Sequence, residues 1–556
     1  MIIKIPSFAK IMATTSIKSL AAMRKIRDIS WNALIYTIQQ WDPATISLYL
    51  CIGTFLIFVY CRSCFGSRLD PREPRAVQPR LPWIGHIIGL IRHRVDYFDI
   101  LKKKKPMAIA TLPILNGKIY AIWSPSLVQS ALRNKDLTFD IFGIEFAENV
   151  FGLNKETMSI IRGTGSIEES LVSKMMSAIK PTMTGQNLHR MNAEALKYIG
   201  SCINNIGGEG LNVPNAYRWL RELMTLATAE AIYGVENPFM KDPTLLNALW
   251  EFDANLNTLV LGFLPNIIAR AAIRNRNKVQ EALMKYYEAG MDQKADVAEI
   301  TKVRAKVSRE SGVKNDEMAR LEMALIFVAT TNSIPTAYWL LTNIWLRPNI
   351  VDRIRAEVAQ LAQISNRADN KGRDLTLRIS QLEDRCPLLA SSYREAVRLG
   401  NQVLGTRRVM KDTVLTDADG TSYLLRAGVN VIWSAKLMHR AADVWGDCSD
   451  TFIADRFLAG KAGGIDMERK RRVSYLPFGG GKHLCPGRNF AFAEILGFMS
   501  ALVLGFEVVG LNSSNVRMET GAIGEGVVKP PADGQGGAIT IRRRKGWEDV
   551  NWLFVC

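Results

Sequence analysis

The stretch Pro477-Phe478-Gly479-Gly480-Gly481-Lys482-His483-Leu484-Cys485-Pro486-Gly487 decides which fold the rest of the chain is expected to form. An apolar run from Phe490 to Phe506 follows it. Glycines before a single cysteine, then Pro-Gly and a helical pattern, predict a thiolate on a tight loop at the start of a buried helix. The pattern therefore predicts a metal site.

The surroundings of Cys485 suit an iron ligand. Pro486 is tolerated at a helix start, and the free N–H groups of a first turn stabilise an anion, so we expect Cys485 to be more acidic than an ordinary thiol. We expect Gly479, Gly480 and Gly481 to let the loop lie flat against a large planar cofactor, with Phe478 beside the sulfur. The alternative is that Cys485 is a buried small hydrophobe in a Gly-rich turn.

Four of these residues carry a family resemblance. Phe478, Gly481, Cys485 and Gly487 match the signature F-x-x-G-x-[R/H]-x-C-x-G, so the chain resembles a cytochrome P-450, one of the haem-thiolate monooxygenases. The resemblance implies a mainly α fold with a small β portion, and haem b held by Cys485 as the axial ligand. It also puts His483 where Arg or His meets a haem propionate.

Composition limits the partners. The 556 residues carry a formal charge of +18, which favours an anionic partner: a membrane, an acidic protein or nucleic acid. Nucleic acid ranks last because the basic residues are scattered without interleaved aromatics. The eight cysteines show no paired spacing, and Cys61-x-x-Cys64 is expected to flank a membrane rather than to bind a metal. These features favour a reducing compartment.

The N-terminal part predicts a membrane anchor. Residues 1–42 form a basic segment, 43–61 a transmembrane anchor, 62–85 a Pro-rich hinge and 86–556 the catalytic domain. The larger basic count after the anchor favours a cytosolic catalytic domain, which the resemblance places at the endoplasmic reticulum. Two alternatives remain open: a buried core helix in place of the anchor, and mitochondrial targeting by the basic segment.

Secondary structure is predicted from periodicity. The runs Ala108–Leu112 and Lys118–Trp123 around Asn116-Gly117 predict a β-hairpin, and long helical patterns extend from Ile167 to Arg398. The family's usual Trp and Arg in the third helix are not visible here, so Lys174 is a candidate for a propionate contact.

The helix predicted from Asp316 to Leu346 contains a polar break. Pro335 deletes one backbone hydrogen bond and is expected to kink the helix. In the family this helix crosses the distal face of the haem, where an acid and a threonine relay protons. Thr331 and Asn332 occupy those places, and Asn-x-x-Pro resembles the branch with sterol hydroxylases and prostacyclin synthase. The alternative is that both side chains only bond to helix carbonyls.

Further motifs predict the support of the haem. Glu395 and Arg398 match the family's E-x-x-R, and with Arg456 they are expected to form a buried triad of structural importance. Arg407 is the candidate for a second propionate partner, with Arg408 as its rival. His439-Arg440 and Val444-Trp445-Gly446 match the pattern that precedes the loop, or are surface residues.

Basic residues bracket the cysteine loop, either as a solvated face or as a docking surface for an acidic flavoprotein. They are Lys461, Lys470, Arg471, Arg472, Lys482 and Arg488.

Three functions are consistent with the sequence. The first is insertion of one oxygen atom from O2 into a lipophilic substrate such as a terpenoid, sterol or polyketide, in a fungal secondary pathway for example. Electrons would come from NADPH through cytochrome P-450 reductase. The second is a haem-thiolate isomerase or dehydratase that rearranges a peroxide or preoxidised substrate without a reductase. The third is a non-enzymatic haem sensor or carrier.

Overall fold

The computed structural model describes residues 42–65, 69–81, 84–115, 117–163, 165–260, 265–367, 372–461, 463–513, 516–521, 524–530 and 537–556. The predicted basic segment therefore lies outside the described residues except for Asp42. The side chains of Cys61 and Cys64 also lie outside them.

The predicted anchor forms a helix, α1, over Pro43–Phe65. Its apolar side chains face outward: Leu50 is 65% exposed and Ile57 is 64% exposed. Within the described residues, Asn315–Trp345 and Arg488–Gly505 are long and apolar enough to cross a membrane, but most of each is buried inside the protein; the apolar stretch of α1, Ser47–Phe58, is shorter. They are core helices, whereas most apolar side chains of α1 that the structure describes are exposed. The anchor stays a prediction.

The described part of the predicted hinge lies against the sheet. The carbonyl of Arg75 accepts the N–H of Thr111 at 3.0 Å, and the N–H of Val77 donates to the carbonyl of Thr111 at 2.9 Å. The carboxylate of Glu73 is buried and accepts the hydroxyl of Tyr120 at 2.6 Å. Residues 73–77 are therefore fixed to the catalytic domain.

The predicted hairpin is confirmed. Strands β1 (Ile109–Ile114) and β2 (Gly117–Ile122) are antiparallel, with Ile109 opposite Ile122 and Ile114 opposite Gly117. They open a five-stranded sheet in the order β1-β2-β10-β7-β3, where β3 is Leu137–Thr138, β7 is Leu404–Val409 and β10 is Asn430–Ser434. Strand β7 carries the two rival arginines.

The remaining strands form three small sheets. Their orders are β11-β12-β4, β13-β6-β5 and β8-β9. The strands are β4 Leu211–Val213, β5 Gln363–Asn366, β6 Arg373–Arg378, β8 Thr413–Thr416, β9 Ser422–Leu425, β11 Phe506–Val509, β12 Ile539–Arg543 and β13 Val550–Val555.

Helices make up most of the described chain. After α1 they are α2 Ile87–His93, α3 Tyr97–Lys104, α4 Pro125–Arg133, α5 Asp140–Val150, α6 Lys155–Arg162, α7 Leu171–Thr182, α8 Gly185–Asn204, α9 Ala216–Tyr233, α10 Pro238–Lys241, α11 Thr244–Ala254, α12 Leu256–Val260, α13 Pro265–Ile268, α14 Arg270–Glu288, α15 Glu299–Glu310, α16 Asn315–Thr330, α17 Ser333–Trp345, α18 Pro348–Ala359, α19 Leu382–Arg385, α20 Pro387–Gly400, α21 Ala435–His439, α22 Ala442–Trp445, α23 Ile465–Ser474 and α24 Arg488–Gly505.

Two large apolar cores hold most of these helices together, and α2, α3 and α4 pack in two smaller clusters with the five-stranded sheet. One core is built around α17, α20 and α24 and contains Trp339, Leu389 and Phe498, which are almost fully buried. The other is built around α9, α11 and α14–α16 and contains Phe252 and Leu283. The broken helix α16/α17 contributes to both cores, so the break lies where the two meet.

The predicted kink is confirmed as a break between two helices. Helix α16 ends at Thr330 and α17 begins at Ser333. Pro335 is the third residue of α17, where a missing N–H costs little because first-turn N–H groups have no intrahelical partner. The hydroxyls of Ser333 and Thr336 donate to the carbonyls of residues 329 and 332, at 2.7 and 2.8 Å. These bonds stabilise the exposed carbonyls of the break.

Candidate active site

Cys485 lies on the loop that leads into α24. Its own N–H donates to the carbonyl of Phe478 at 3.0 Å, which closes the loop. Gly487 caps α24, and the backbone N–H groups of Gly487 and Arg488 point to the thiol. This is the predicted arrangement of a sulfur at a helix start.

The predicted acidity of the thiol is wrong for the protein without a metal. Burial raises the pKa of Cys485 above that of an ordinary thiol. The amides of Gly487 and Arg488 and the charge of Arg488 oppose this rise but do not outweigh it. The loss of water around the sulfur changes the pKa more than these groups do, and it cannot be predicted from the sequence pattern.

Gly480 and Gly481 are required by packing against α4, and their predicted contact with a planar cofactor stays a prediction. Gly481 has φ +62°, and a Cβ there would lie 2.2 Å from the carbonyl oxygen of Leu132 on α4. A Cβ on Gly480 would lie 2.8 Å from Cδ1 of the same leucine. Both positions therefore exclude a side chain because of α4, in addition to any cofactor.

A cavity of about 610 Å³ opens beside the sulfur. Its lining includes Cys485, Phe478 and Gly479 on one side and Asn332 from the helix break on another. The rest of the lining is mostly apolar and comes from α5, α7, α16 and β7. Of the sequence candidates, the cavity brings together Cys485, Phe478, Gly487, His483, Arg407 and Asn332.

Arg407 is a buried cation that faces this cavity. The residue is 5% exposed, and burial lowers its pKa to about 10. It donates to the carbonyls of Thr406 at 2.7 Å and Gly480 at 3.3 Å, and within the described residues no carboxylate forms an ion pair with it. An anionic group in the cavity would compensate this charge, as haem propionates would.

His483 is held at the same edge of the cavity. Its Nδ1 lies 3.5 Å from a carboxylate oxygen of Asp140, and its Nε2 accepts the N–H of Phe139 at 3.4 Å. Burial lowers the pKa of His483 to about 4, so the ring is neutral at pH 7. Asp140 and Phe139 were missed from the sequence, because nothing in a pattern near the cysteine points to a segment 344 residues earlier.

Two other basic candidates lie elsewhere. Arg408 points to the other face of β7, where it donates to Glu145 at 3.4 Å. Lys174 is exposed on α7 and does not line the cavity, although its neighbours Val172 and Met175 do. The structure therefore favours Arg407 over its rival and gives no support to Lys174 as a propionate contact.

The two distal candidates differ in what their side chains do. The hydroxyl of Thr331 donates to the carbonyl of Phe327 at 2.9 Å, and the residue is 5% exposed and absent from the cavity lining. Asn332 lines the cavity, and its amide has no hydrogen-bond partner within the described part of the chain. Of these two residues, only Asn332 is placed to contact a bound molecule.

Behind the loop, Glu395 joins two buried arginines. Its Oε1 accepts Nη2 of Arg398 and Nε of Arg456, each at 2.8 Å, and its Oε2 accepts Nε of Arg398 at 2.7 Å. Arg398 also donates to the carbonyl of Ser449 at 2.6 Å, and Arg456 to that of Trp445 at 2.8 Å. The two arginines therefore share one carboxylate, and their remaining donors are satisfied by backbone carbonyls.

His439 links this network to the cysteine loop. It is fully buried, so the surface alternative for this motif does not hold. The N–H of Leu476 donates to Nε2 at 2.9 Å, and Nδ1 lies 3.2 Å from the carbonyl of Arg398. The ring must therefore carry its proton on Nδ1. Leu476 directly precedes the loop that begins at Pro477.

Comparisons with known proteins agree with this geometry. The family model "Cytochrome P450" matches residues 76–535. A "Cytochrome P450 monooxygenase" of Gibberella zeae is 36% identical over 92% of this chain and 96% of its own length. The "Cytochrome P450 monooxygenase nodJ" of Hypoxylon pulicicidum is 28% identical over 90% of this chain and 97% of its own length.

A solved structure shares the fold. The cyanobacterial CYP120A1, solved with retinoic acid bound, superposes with a TM-score of 0.64 at 16% identity. The alignment covers 86% of this chain and all of that one. The mainly helical fold with small sheets, in one catalytic domain, is therefore confirmed. The chain therefore belongs to the cytochrome P450 family and is a monooxygenase.

Proposed function

We propose that the protein inserts one oxygen atom from O2 into a C–H bond of a lipophilic molecule, such as a terpenoid, sterol or polyketide. The observation that carries the proposal is that Cys485 and the amide of Asn332, which has no hydrogen-bond partner among the described residues, line one largely apolar cavity. An apolar wall binds a lipophilic body by burial, and few polar groups remain to orient it.

The residues of the cavity fit haem b. Cys485 would supply the thiolate ligand of the iron and Arg407 would compensate a propionate, and Phe478 and Gly479 line the same cavity. His483 would meet a propionate only by exchanging a contact it makes now. Bound there, the haem would supply the activation of O2, which the thiolate promotes by donating electron density.

Of the two candidates at the helix break, Asn332 is the one that lines the cavity. Its amide can donate and accept, so it can hold a water molecule at the helix break and orient it toward the reacting oxygen. It does not lose a proton itself, so the proton must come from solvent through that water. Thr331 is committed to the carbonyl of Phe327 and takes no part.

The proposal also covers the source of the electrons and the cellular location of the protein. The exposed residues Lys470 and Arg472 precede the cysteine loop, and the exposed Lys482 lies within it; together they would dock an acidic flavoprotein, NADPH–cytochrome P450 reductase. The apolar surface of α1 would anchor the chain as a single pass in the endoplasmic reticulum membrane, with the catalytic domain in the cytosol.

Rearrangement of a peroxide or preoxidised substrate is the second candidate. The observation that favours it is the position of Thr331, which leaves no acid and no free hydroxyl at the break among the described residues. Such an isomerase needs no external proton delivery and no reductase.

The test supplies ¹⁸O2 to the full-length protein with reductase, NADPH and candidate lipids from a producing host. We expect labelled oxygen in one product only when reductase and NADPH are both present. Turnover without them, or a product without label, would establish the rearrangement. The ferrous carbonyl spectrum checks the premise, because a thiolate ligand gives an absorption distinct from that of a nitrogen ligand.

A further inference from the structure

Arg304 is a charged side chain in the cavity wall that lies on a helix away from the cysteine loop. It belongs to α15 and is 9% exposed. The lining residues around it, Ile300 on the same helix and Leu321 and Leu325 on α16, are apolar. A guanidinium in such a wall is costly unless it has a use or a partner.

Its partner is Glu322, which is fully buried. The guanidinium binds the carboxylate side-on, with Nε to Oε2 at 2.7 Å and Nη2 to Oε1 at 3.0 Å. This geometry uses two of the three guanidinium nitrogens. Within the described residues Nη1 has no hydrogen-bond partner, so its two N–H groups remain free at the cavity wall.

A purely structural ion pair would not need this arrangement. An apolar pair of similar volume would hold α15 to α16 equally well, because the desolvation of two ions offsets most of their attraction. Nη1 is not fully enclosed by protein atoms, so an acceptor that enters the cavity with the substrate can reach its free N–H groups.

We propose that Arg304 recognises the substrate by donating from Nη1 to a neutral oxygen, a ketone or hydroxyl oxygen, on an otherwise apolar molecule. The acceptor is neutral because Glu322 already balances the charge, and a carboxylate would place a second anion beside it in an apolar wall. The preferred substrate therefore carries oxygen before it reaches this enzyme, so a reaction that forms a ketone or alcohol precedes it. This inference rests on the proposed function, since it names the substrate class of the same cavity.

The test measures binding of matched probes by equilibrium dialysis of the full-length, haem-loaded protein. The probes are cyclododecanone, cyclododecane and cyclododecanecarboxylate. The variants are Arg304→Lys, which keeps the charge opposite Glu322 but lacks Nη1, and Arg304→Gln/Glu322→Gln, which replaces the ion pair by two amides. Two variants are used because either one alone could fold poorly.

We expect the affinity for the ketone to fall about tenfold or more in both variants, which corresponds to loss of one hydrogen bond to a charged donor. The affinity for the hydrocarbon should stay within about twofold of the wild-type value, so the comparison cancels general changes in the cavity. Equal losses for ketone and hydrocarbon, unchanged ketone affinity, or no ketone binding to the wild-type protein would overturn the proposal. Tighter binding of the carboxylate than of the ketone would overturn the proposal that the acceptor on the substrate is neutral.

Dialysis needs no oxygen, reductase or turnover. A failure to form labelled product would therefore count against the proposed oxygenation and leave the role of Arg304 standing. If the probe comparison failed instead, the role of Arg304 would be overturned and the proposed oxygenation would stand.

Discussion

Arg398 holds Glu395 through two parallel N–H···O bonds, and neither side chain is exposed to solvent. Replacing Glu395 by Gln leaves Arg398 and Arg456 buried without a counter-charge. We expect a loss of about 3–5 kcal/mol in the free energy of unfolding, as for a broken buried ion pair, together with poor haem retention. Urea unfolding and haem content per chain measure the two effects.

The matched control is Glu281→Gln. Glu281 pairs with Lys285 on α14 at 3.1 Å, but both side chains are more than half exposed, so no measurable change is expected. If the two substitutions destabilise the protein equally, the buried triad does not have the importance assigned to it.

Protonation of His439 should make the stability of the folded protein depend on pH. Burial lowers its pKa from 6.5 to about 3, so between these values the unfolded chain binds a proton that the folded protein excludes. The neutral, buried His439 therefore makes its full contribution to the free energy of unfolding above pH 6.5. This contribution is lost as the pH falls, and at pH 5 the free energy of unfolding is lower by about 2 kcal/mol. The measurement is the difference in unfolding free energy between the wild type and His439→Gln as a function of pH.

We expect that difference to favour the wild type at pH 7.5 and to shrink as the pH falls to 5, because Gln does not titrate. A difference that stays constant across this range would mean that His439 is not the titrating group.

Motifs confined to a few neighbouring residues were predictable from the sequence. The thiolate loop, the E-x-x-R pair, the β1/β2 hairpin and the break near Pro335 each depend on local spacing, which one chain displays directly. Thr331 and Asn332 were predictable as residues of the break but not in their separate roles. Which of two adjacent side chains turns toward a cavity is decided by the packing of α16 and α17.

Features that depend on distant segments could not be predicted. The pKa of Cys485 follows from burial by the whole fold, and the requirement for Gly481 follows from Leu132 on α4. Arg304 and Glu322 stand 18 residues apart on separate helices in a charged, helical stretch, where such residues are usually solvated. Only the packing of α15 against α16 shows that this pair lies in the cavity wall.

Gly481→Ala should lower the haem content of the protein more than Gly480→Ala does. The first substitution places a Cβ against the backbone carbonyl of Leu132 and forces a non-glycine residue into φ +62°, whereas the second meets only the flexible end of that side chain. Haem content after matched expression measures the difference. Equal haem content in the two variants would show that the loop adapts around α4.

Asn332→Ala should uncouple electron consumption from product formation, because it removes the amide that orients water at the helix break. Thr331→Val is the control, since the Thr331 hydroxyl serves only the carbonyl of Phe327. We expect NADPH oxidation per product to rise several-fold in the first variant and to stay near the wild-type value in the second. Unchanged coupling in Asn332→Ala would mean that the Asn332 amide does not orient water. Uncoupling in both variants would mean that the helix break as a whole, rather than this amide, controls coupling.

The basic residues around the cysteine loop should affect reduction, but not all of them equally. Arg471 is half-buried and donates to the carbonyls of Val444 and Arg456 at 3.3 and 3.4 Å, so its replacement would damage the fold rather than the surface. The informative variant is the exposed triple Lys470→Gln/Arg472→Gln/Lys482→Gln. We expect its reduction by an acidic flavoprotein to slow by tenfold or more at low salt and to approach the wild-type rate at high salt, where screening removes long-range attraction.

A control removes three basic residues from α14 and α15, far along the chain from the loop: Arg274→Gln/Lys285→Gln/Lys306→Gln. The two variants have the same net charge, so a general loss of attraction would slow both equally, and stopped-flow reduction across a salt series separates the cases. Slowing confined to the loop variant assigns docking to this face, because net charge alone does not distinguish the two proteins. Equal slowing would leave Lys470, Arg472 and Lys482 as ordinary solvated residues.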